Sequence, residues 1–126
     1  MLYLADLQSV AHAAALSFTG SAINSPSGAI TSTAANTLTL AAGQYLVNFV
    51  SDASITEAGS IGAALALNGT ALPYAAAALS ASSADADRIA ISAIVSPTAS
   101  SNLTVINNSG STIGYENSTL TAVRLA

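Results

Sequence analysis

His12 is the only histidine of the chain, and there is no cysteine. These are the side chains that most often act as proton shuttle, nucleophile or soft metal ligand near neutral pH. No carboxylate stands at ligand spacing from His12, so a zinc site lacks its donor set. His12 therefore reads as a strand residue. A serine nucleophile would need a G-x-S-x-G turn or a paired base, and the sequence offers neither. Asp85-Ala86-Asp87-Arg88 sets two carboxylates beside a cation. Calcium or a polar ligand would use such a group; a polar loop that solubilises a strand end has the same composition, and that is the reading adopted. A glycosidase uses a pair of carboxylates across a sugar, with stacking aromatics beside them, and the chain has no tryptophan. Asn68, Asn102, Asn107 and Asn117 each begin an N-x-S/T triplet, read as turn chemistry in a chain rich in Asn, Ser and Thr. Tyr74, which follows Pro73, is the aromatic residue best placed to stack on a glycan. The expectation is no catalytic residue, no cofactor and no metal.

What remains must be done by surfaces, and the composition says which kind. Ala (29), Ser (19) and Thr (12) make up nearly half of the 126 residues. Charged residues are 6% of the chain, against about 25% in an average soluble domain. So few charges solvate a lone subunit poorly, which points to burial in an oligomer together with a hydroxyl- and amide-rich exterior. The net charge of −4, with two arginines and no lysine, excludes a phosphate-tracking nucleic-acid surface and docking on anionic lipid. No apolar run reaches the length of a membrane-spanning helix, so membrane insertion is not expected. Met1–Asp6 has no basic segment and does not read as a signal peptide; further chain is expected upstream of it.

The length fits one domain, residues 1–126. Alanine favours helix, but the apolar residues alternate and turn residues recur at short spacing, which is the pattern of an all-β sandwich. In Gly43-Gln44-Tyr45-Leu46-Val47-Asn48-Phe49, Tyr45, Val47 and Phe49 share one face of a strand. The other expected strands are Leu2–Asp6, Ser9–Phe18 with His12 inside it, Ala29–Thr33, Thr37–Leu40, Ser60–Asn68, Thr70–Ser80, Asp87–Ser96, Asn102–Asn107 and Thr119–Leu125. The central strand runs over Gln44–Asp52. Asn68-Gly69 is the strongest turn signal, because a two-residue type I′ turn needs positive φ at both positions. Ser80–Asp85 and Asp52–Gly59 read as loops. Phe18, Tyr45, Val47, Phe49, Leu65, Leu67, Ile89, Ile91, Val123 and Leu125 are expected to pack in the core or at a seam between subunits.

Four segments, in order, resemble the C-terminal domain of exosporium collagen-like glycoproteins (BclA type), a branch of the complement/tumour-necrosis-factor superfamily. They are the Gln8-Ser9-Val10 stretch running to Phe18, the Gly43–Phe49 strand, the hairpin Ala64-Leu65-Ala66-Leu67-Asn68-Gly69-Thr70, and the closing Ser118-Thr119-Leu120-Thr121-Ala122-Val123-Arg124-Leu125-Ala126. The resemblance implies a ten-stranded antiparallel jelly-roll sandwich, TNF-like and trimeric. It implies a collagen-like stalk joined to the N-terminus, a position on the spore surface at the tip of hair-like filaments, and no catalysis. The chain is poorer in aromatics and richer in alanine than animal members, so their receptor and calcium sites are not expected here.

Two readings of function follow. The first is a homotrimeric head that assembles and presents a bacterial collagen-like surface protein, with a host-surface or glycan ligand possible. The second is the receptor-binding tip of a phage fibre or bacterial adhesin. They share the trimer and differ in whether there is a true ligand site.

Overall fold

A computed structural model describes residues 1–126, the side chain of Thr33 excepted. The chain is all-β, with eleven strands and no helix among the described residues. They are β1 (Leu2–Leu4), β2 (Gln8–Val10), β3 (Gly20–Ser21), β4 (Ile30–Ala34), β5 (Thr37–Leu40), β6 (Tyr45–Ile55), β7 (Gly59–Leu67), β8 (Thr70–Ala81), β9 (Asp85–Val95), β10 (Ser101–Ile106) and β11 (Ile113–Arg124). The first sheet has the order β3-β1-β11-β6-β9, with β2 also pairing β11; the second has the order β4-β5-β10-β7-β8. Every pairing is antiparallel. Two sheets facing each other bury one face of each strand and leave the other outward, which is why alternation was visible in the sequence.

The alternation is cleanest in β6. Tyr45, Val47, Phe49, Ser51, Ala53 and Ile55 are buried, and the residues between them are half-buried. Ile89, Ile91 and Val95 of β9, Leu103 and Val105 of β10, and Leu38 and Leu40 of β5 complete much of the core. Tyr45 buries its ring while its hydroxyl donates to the Ala41 carbonyl at 2.8 Å, so the polar end is satisfied. The Asn68-Gly69 turn has φ of 51° and 82°, and Leu67 pairs with Thr70 across it. This is the expected two-residue hairpin.

Four expectations need correction. Ser9–Phe18 is not one strand. The chain pairs with β11 through Val10, turns at His12 and Ala13, and then Ala15 bridges Ile106 in the other sheet. Ala13 sits at φ 68°, a left-handed conformation that interrupts regular extended backbone, and the alanine run is a corner between sheets. Leu16 and Phe18 beyond it are buried. Second, Asp52–Ile55 is not loop: β6 continues to Ile55, and the connection to β7 shrinks to Thr56, Glu57 and Ala58. Third, the closing strand starts at Ile113, six residues earlier than expected, and is broken by a bulge. Finally, Gly20–Ser21 forms a short strand beside β1 that leaves no pattern in two residues. Eleven strands therefore stand where ten were expected.

The bulge decides which face each half of β11 presents. Glu116 pairs with Asp52 and Thr119 with Val50, so two residues oppose Ser51 alone. Asn117 takes φ 52° there, the left-handed position usual at this kind of bulge. Before it Ile113 and Tyr115 point inward; after it Ser118, Leu120 and the half-buried Ala122 do. The parity of the strand has shifted by one.

Candidate functional site: the outer face of the first sheet

Registers across β11, β6 and β9 arrange the outward residues in rows. Val123, Leu46 and Ile94 form one row. Thr121, Asn48 and Ser92 form the next. Tyr3, Thr119, Val50 and Ala90 form the third. Glu116, Asp52 and Arg88 form the fourth. Rows are two residues apart along a strand, about 7 Å.

The first three rows carry ten side chains and no formal charge. Ile94 is 55% exposed, Val123 50% and Tyr3 44%, while Leu46 and Val50 are half-buried between their neighbours. Leu125 continues the apolar end beyond the strand, at 52%. Arg124 does not interrupt this face, since its guanidinium donates to the Ala42 and Ala126 carbonyls.

Charge is gathered in the fourth row instead. Asp52 Oδ1 accepts from Arg88 Nη1 at 3.0 Å, and its Oδ2 accepts from Asn117 Nδ2 at 3.1 Å. The Asn117 amide, with Arg88, holds the Asp52 carboxyl below the usual carboxylate range. The group is exposed, so it adds little to stability, but it fixes where the surface changes from neutral to charged. Sequence reading missed it, because Asp52 and Arg88 are far apart in the chain and only the β6–β9 register brings them together.

Of the residues singled out from sequence, Phe18, Tyr45, Val47, Phe49, Leu65, Ile89 and Ile91 are buried in one core, and Leu67 is half-buried against it. Val123 and Leu125 are exposed and do not belong to the subunit core. Beyond the bulge the inward face of the closing strand is Ser118, Leu120 and Ala122. His12 lies at the corner, where its Nδ1 accepts from the Gly110 amide at 2.9 Å. Asp85 and Asp87 each accept a hydrogen bond from the next residue's amide, and Arg88 turns to Asp52. Tyr74 is 63% exposed on β8. Asn68 and Asn117 occupy positive-φ positions. Asn107 is fully buried, donating to the Val10 and Ser111 carbonyls and accepting from the Ser109 amide. Asn102 departs from the turn reading, because it lies within β10.

Among the described residues, no three of His, Asp or Glu gather closely enough to hold a metal ion. Among those residues, too, no helix is long and apolar enough to cross a membrane. Compared with known protein families and with curated proteins, the sequence gives no match.

Proposed function

We propose that this chain is a non-catalytic trimerisation and presentation head of the bacterial collagen-like spore-surface type, with a TNF-like jelly roll. The observation that carries the proposal is the uncharged outer face of the first sheet. Three apolar side chains that a lone subunit leaves half in water, Ile94, Val123 and Tyr3, stand on it. Copies of a chain with net charge −4 repel one another, and this face is where they approach without juxtaposing charge. Burying it would remove apolar surface from water at about 25 cal/mol per Å². A closed ring of identical subunits fits a surface that must be covered on every copy.

The strand order supports the jelly roll. With β1 and β2 taken as one strand interrupted opposite the β11 bulge, the chain has ten strands. The two sheets then exchange strands in the pattern of paired Greek keys: β1, β11, β6 and β9 in one, β5, β10, β7 and β8 in the other. The resemblance of the Gly43–Phe49, Ala64–Thr70 and Ser118–Ala126 segments supports the family, and with it a place on the exosporium.

The head acts by entropy. Three collagen-like chains must meet in register before a triple helix can grow. A trimer that holds their ends together makes that encounter intramolecular, at an effective concentration set by the linker. The test is to fuse the domain to a Gly-X-Y peptide. The triple-helix melting temperature is expected to rise and refolding to quicken, relative to the peptide alone. Equal melting and refolding with and without the domain would remove the assembly role.

A further inference from the structure

The outer face of the first sheet ends, beyond the charged row, in a notch of about 580 Å³. It lies at the far end of β6 from Ala126, roughly 30 Å along the strand from the Tyr45–Arg124 pair. Its floor is Gly114, which pairs with Ser9 on one side and Ser54 on the other. A Cβ at Gly114 would stand 2.8 Å from Ser54 Oγ and 3.0 Å from Leu7 Cδ1, so these two side chains close down on the glycine and leave no room for a larger residue beneath them. Its walls are the β6–β7 loop and the turn before β11.

The chemistry of the lining is specific. Ser9, Ser54, Thr56, Ser111 and Thr112 surround the space with hydroxyls. Glu57 is its one charged group, and among the described residues that carboxylate makes no ion pair. Leu7, 62% exposed, offers an apolar edge. Both arginines are committed elsewhere, Arg88 to Asp52 and Arg124 to the opposite end. An anion therefore meets only negative charge. A hard cation would find one carboxylate where it wants six to eight oxygens. An apolar ligand would strip water from five hydroxyls without replacing it.

We infer that the notch binds a neutral sugar unit. A vicinal diol donates two hydrogen bonds to one carboxylate, the charge-assisted kind that is stronger than neutral pairs. The remaining sugar hydroxyls exchange donors and acceptors with serine and threonine, which can do both. A C–H face packs on Leu7. The volume lies within the range of small-molecule sites. The proposal goes beyond assembly and does not depend on it, since one subunit supplies the whole lining.

The test is a titration of ¹⁵N-labelled protein followed by amide shifts. The probes are methyl glycosides of glucose, galactose, mannose and N-acetylglucosamine, the corresponding free reducing sugars, and N-acetylneuraminic acid. At least one neutral sugar is expected to give saturable shifts at Thr56, Glu57 and Ser111–Gly114. Glu57→Gln, at an exposed position, is expected to leave the rest of the spectrum in place and weaken binding about tenfold or more, the scale of one charged hydrogen bond. Ser54→Ala is expected to weaken it less. N-acetylneuraminic acid is expected not to saturate. Preference for methyl glycosides over reducing sugars would assign the site to glycan chain ends, and equal binding to free sugar. Absence of saturable shifts with every neutral sugar, unchanged affinity in Glu57→Gln, or tightest binding by N-acetylneuraminic acid would overturn the proposal. Light scattering on the same samples reads the oligomer separately, so failure of either claim leaves the other standing.

Discussion

The hydroxyls of Ser51 and Ser118 meet at 2.8 Å inside the sandwich, across the bulge of β11. Both residues are essentially without solvent exposure. Ser51 also donates to the Glu116 carbonyl at 3.2 Å. The two serines are therefore not equivalent. Ser118→Ala leaves Ser51 with an acceptor, and the expected loss is below about 1 kcal/mol. Ser51→Ala leaves the Ser118 hydroxyl buried without its partner, and the expected loss is about 1–3 kcal/mol. Chemical denaturation of the two variants checks the order, and equal losses would contradict it.

Asn117 holds the bulge in a left-handed conformation. Asn117→Gly is expected to retain the fold, because glycine enters that region without strain. Asn117→Val is expected to cost about 2 kcal/mol, since a side chain is disfavoured there and a β-branched one more so. Asn117→Gly also removes a hydrogen bond from Asp52, whose carboxyl is expected to return toward the ordinary range in an NMR titration. A lowered carboxyl favours the folded state above its unfolded pKa and loses that contribution as pH falls through the folded value. The variant narrows that window from the acid side.

How much of this was legible beforehand depends on distance along the chain. Alternation in Tyr45–Phe49 and the Asn68-Gly69 turn are local, and both were readable as they stand. The parity change at Asn117 was not, because a bulge is defined by the opposite strand, and one inserted residue exchanges the faces of everything after it. That is why the local pattern names Val123 and Leu125 for the core or a seam between subunits and does not single out Leu120, which is the residue buried in the subunit. The corner at Ala13 was hidden for another reason: an alanine in a left-handed conformation carries no sequence signature. The notch over Gly114 was equally unreadable, since its lining comes from three separate segments. Glu57 was visible only as one of six carboxylates.

Tyr115 is buried, its hydroxyl donating to the Gly62 carbonyl, and burial pushes its phenol well above the usual tyrosine range. The unfolded chain releases that proton near pH 10, while the folded chain keeps it. The native state then binds more protons than the unfolded one, so stability is expected to fall as pH rises past about 10. Tyr115→Phe is expected to cost about 1 kcal/mol at neutral pH, through the lost hydrogen bond, and to flatten that alkaline decline. Melting temperatures of both proteins from pH 8 to 11 check this; parallel curves would contradict it.

Ile94 and Val123 flank Leu46 in the outermost uncharged row. Both are half exposed in the subunit, so lysine at either position changes subunit stability by no more than about 0.5 kcal/mol. In an assembly that covers this row, the same charge would be buried without a partner. The Ile94→Lys, Val123→Lys double variant is expected to give a folded monomer, with unchanged circular dichroism and a smaller sedimentation coefficient. An oligomer that survives both changes would move the contact to another face.

The central claim is that copies of this chain assemble, and mass in solution tests it most directly. Light scattering after size-exclusion chromatography, at micromolar concentration and moderate salt, is expected to give about 37 kDa, three times the 12.3 kDa chain. A single stable species at 12.3 kDa would contradict the account, leaving the uncharged face without an occupant.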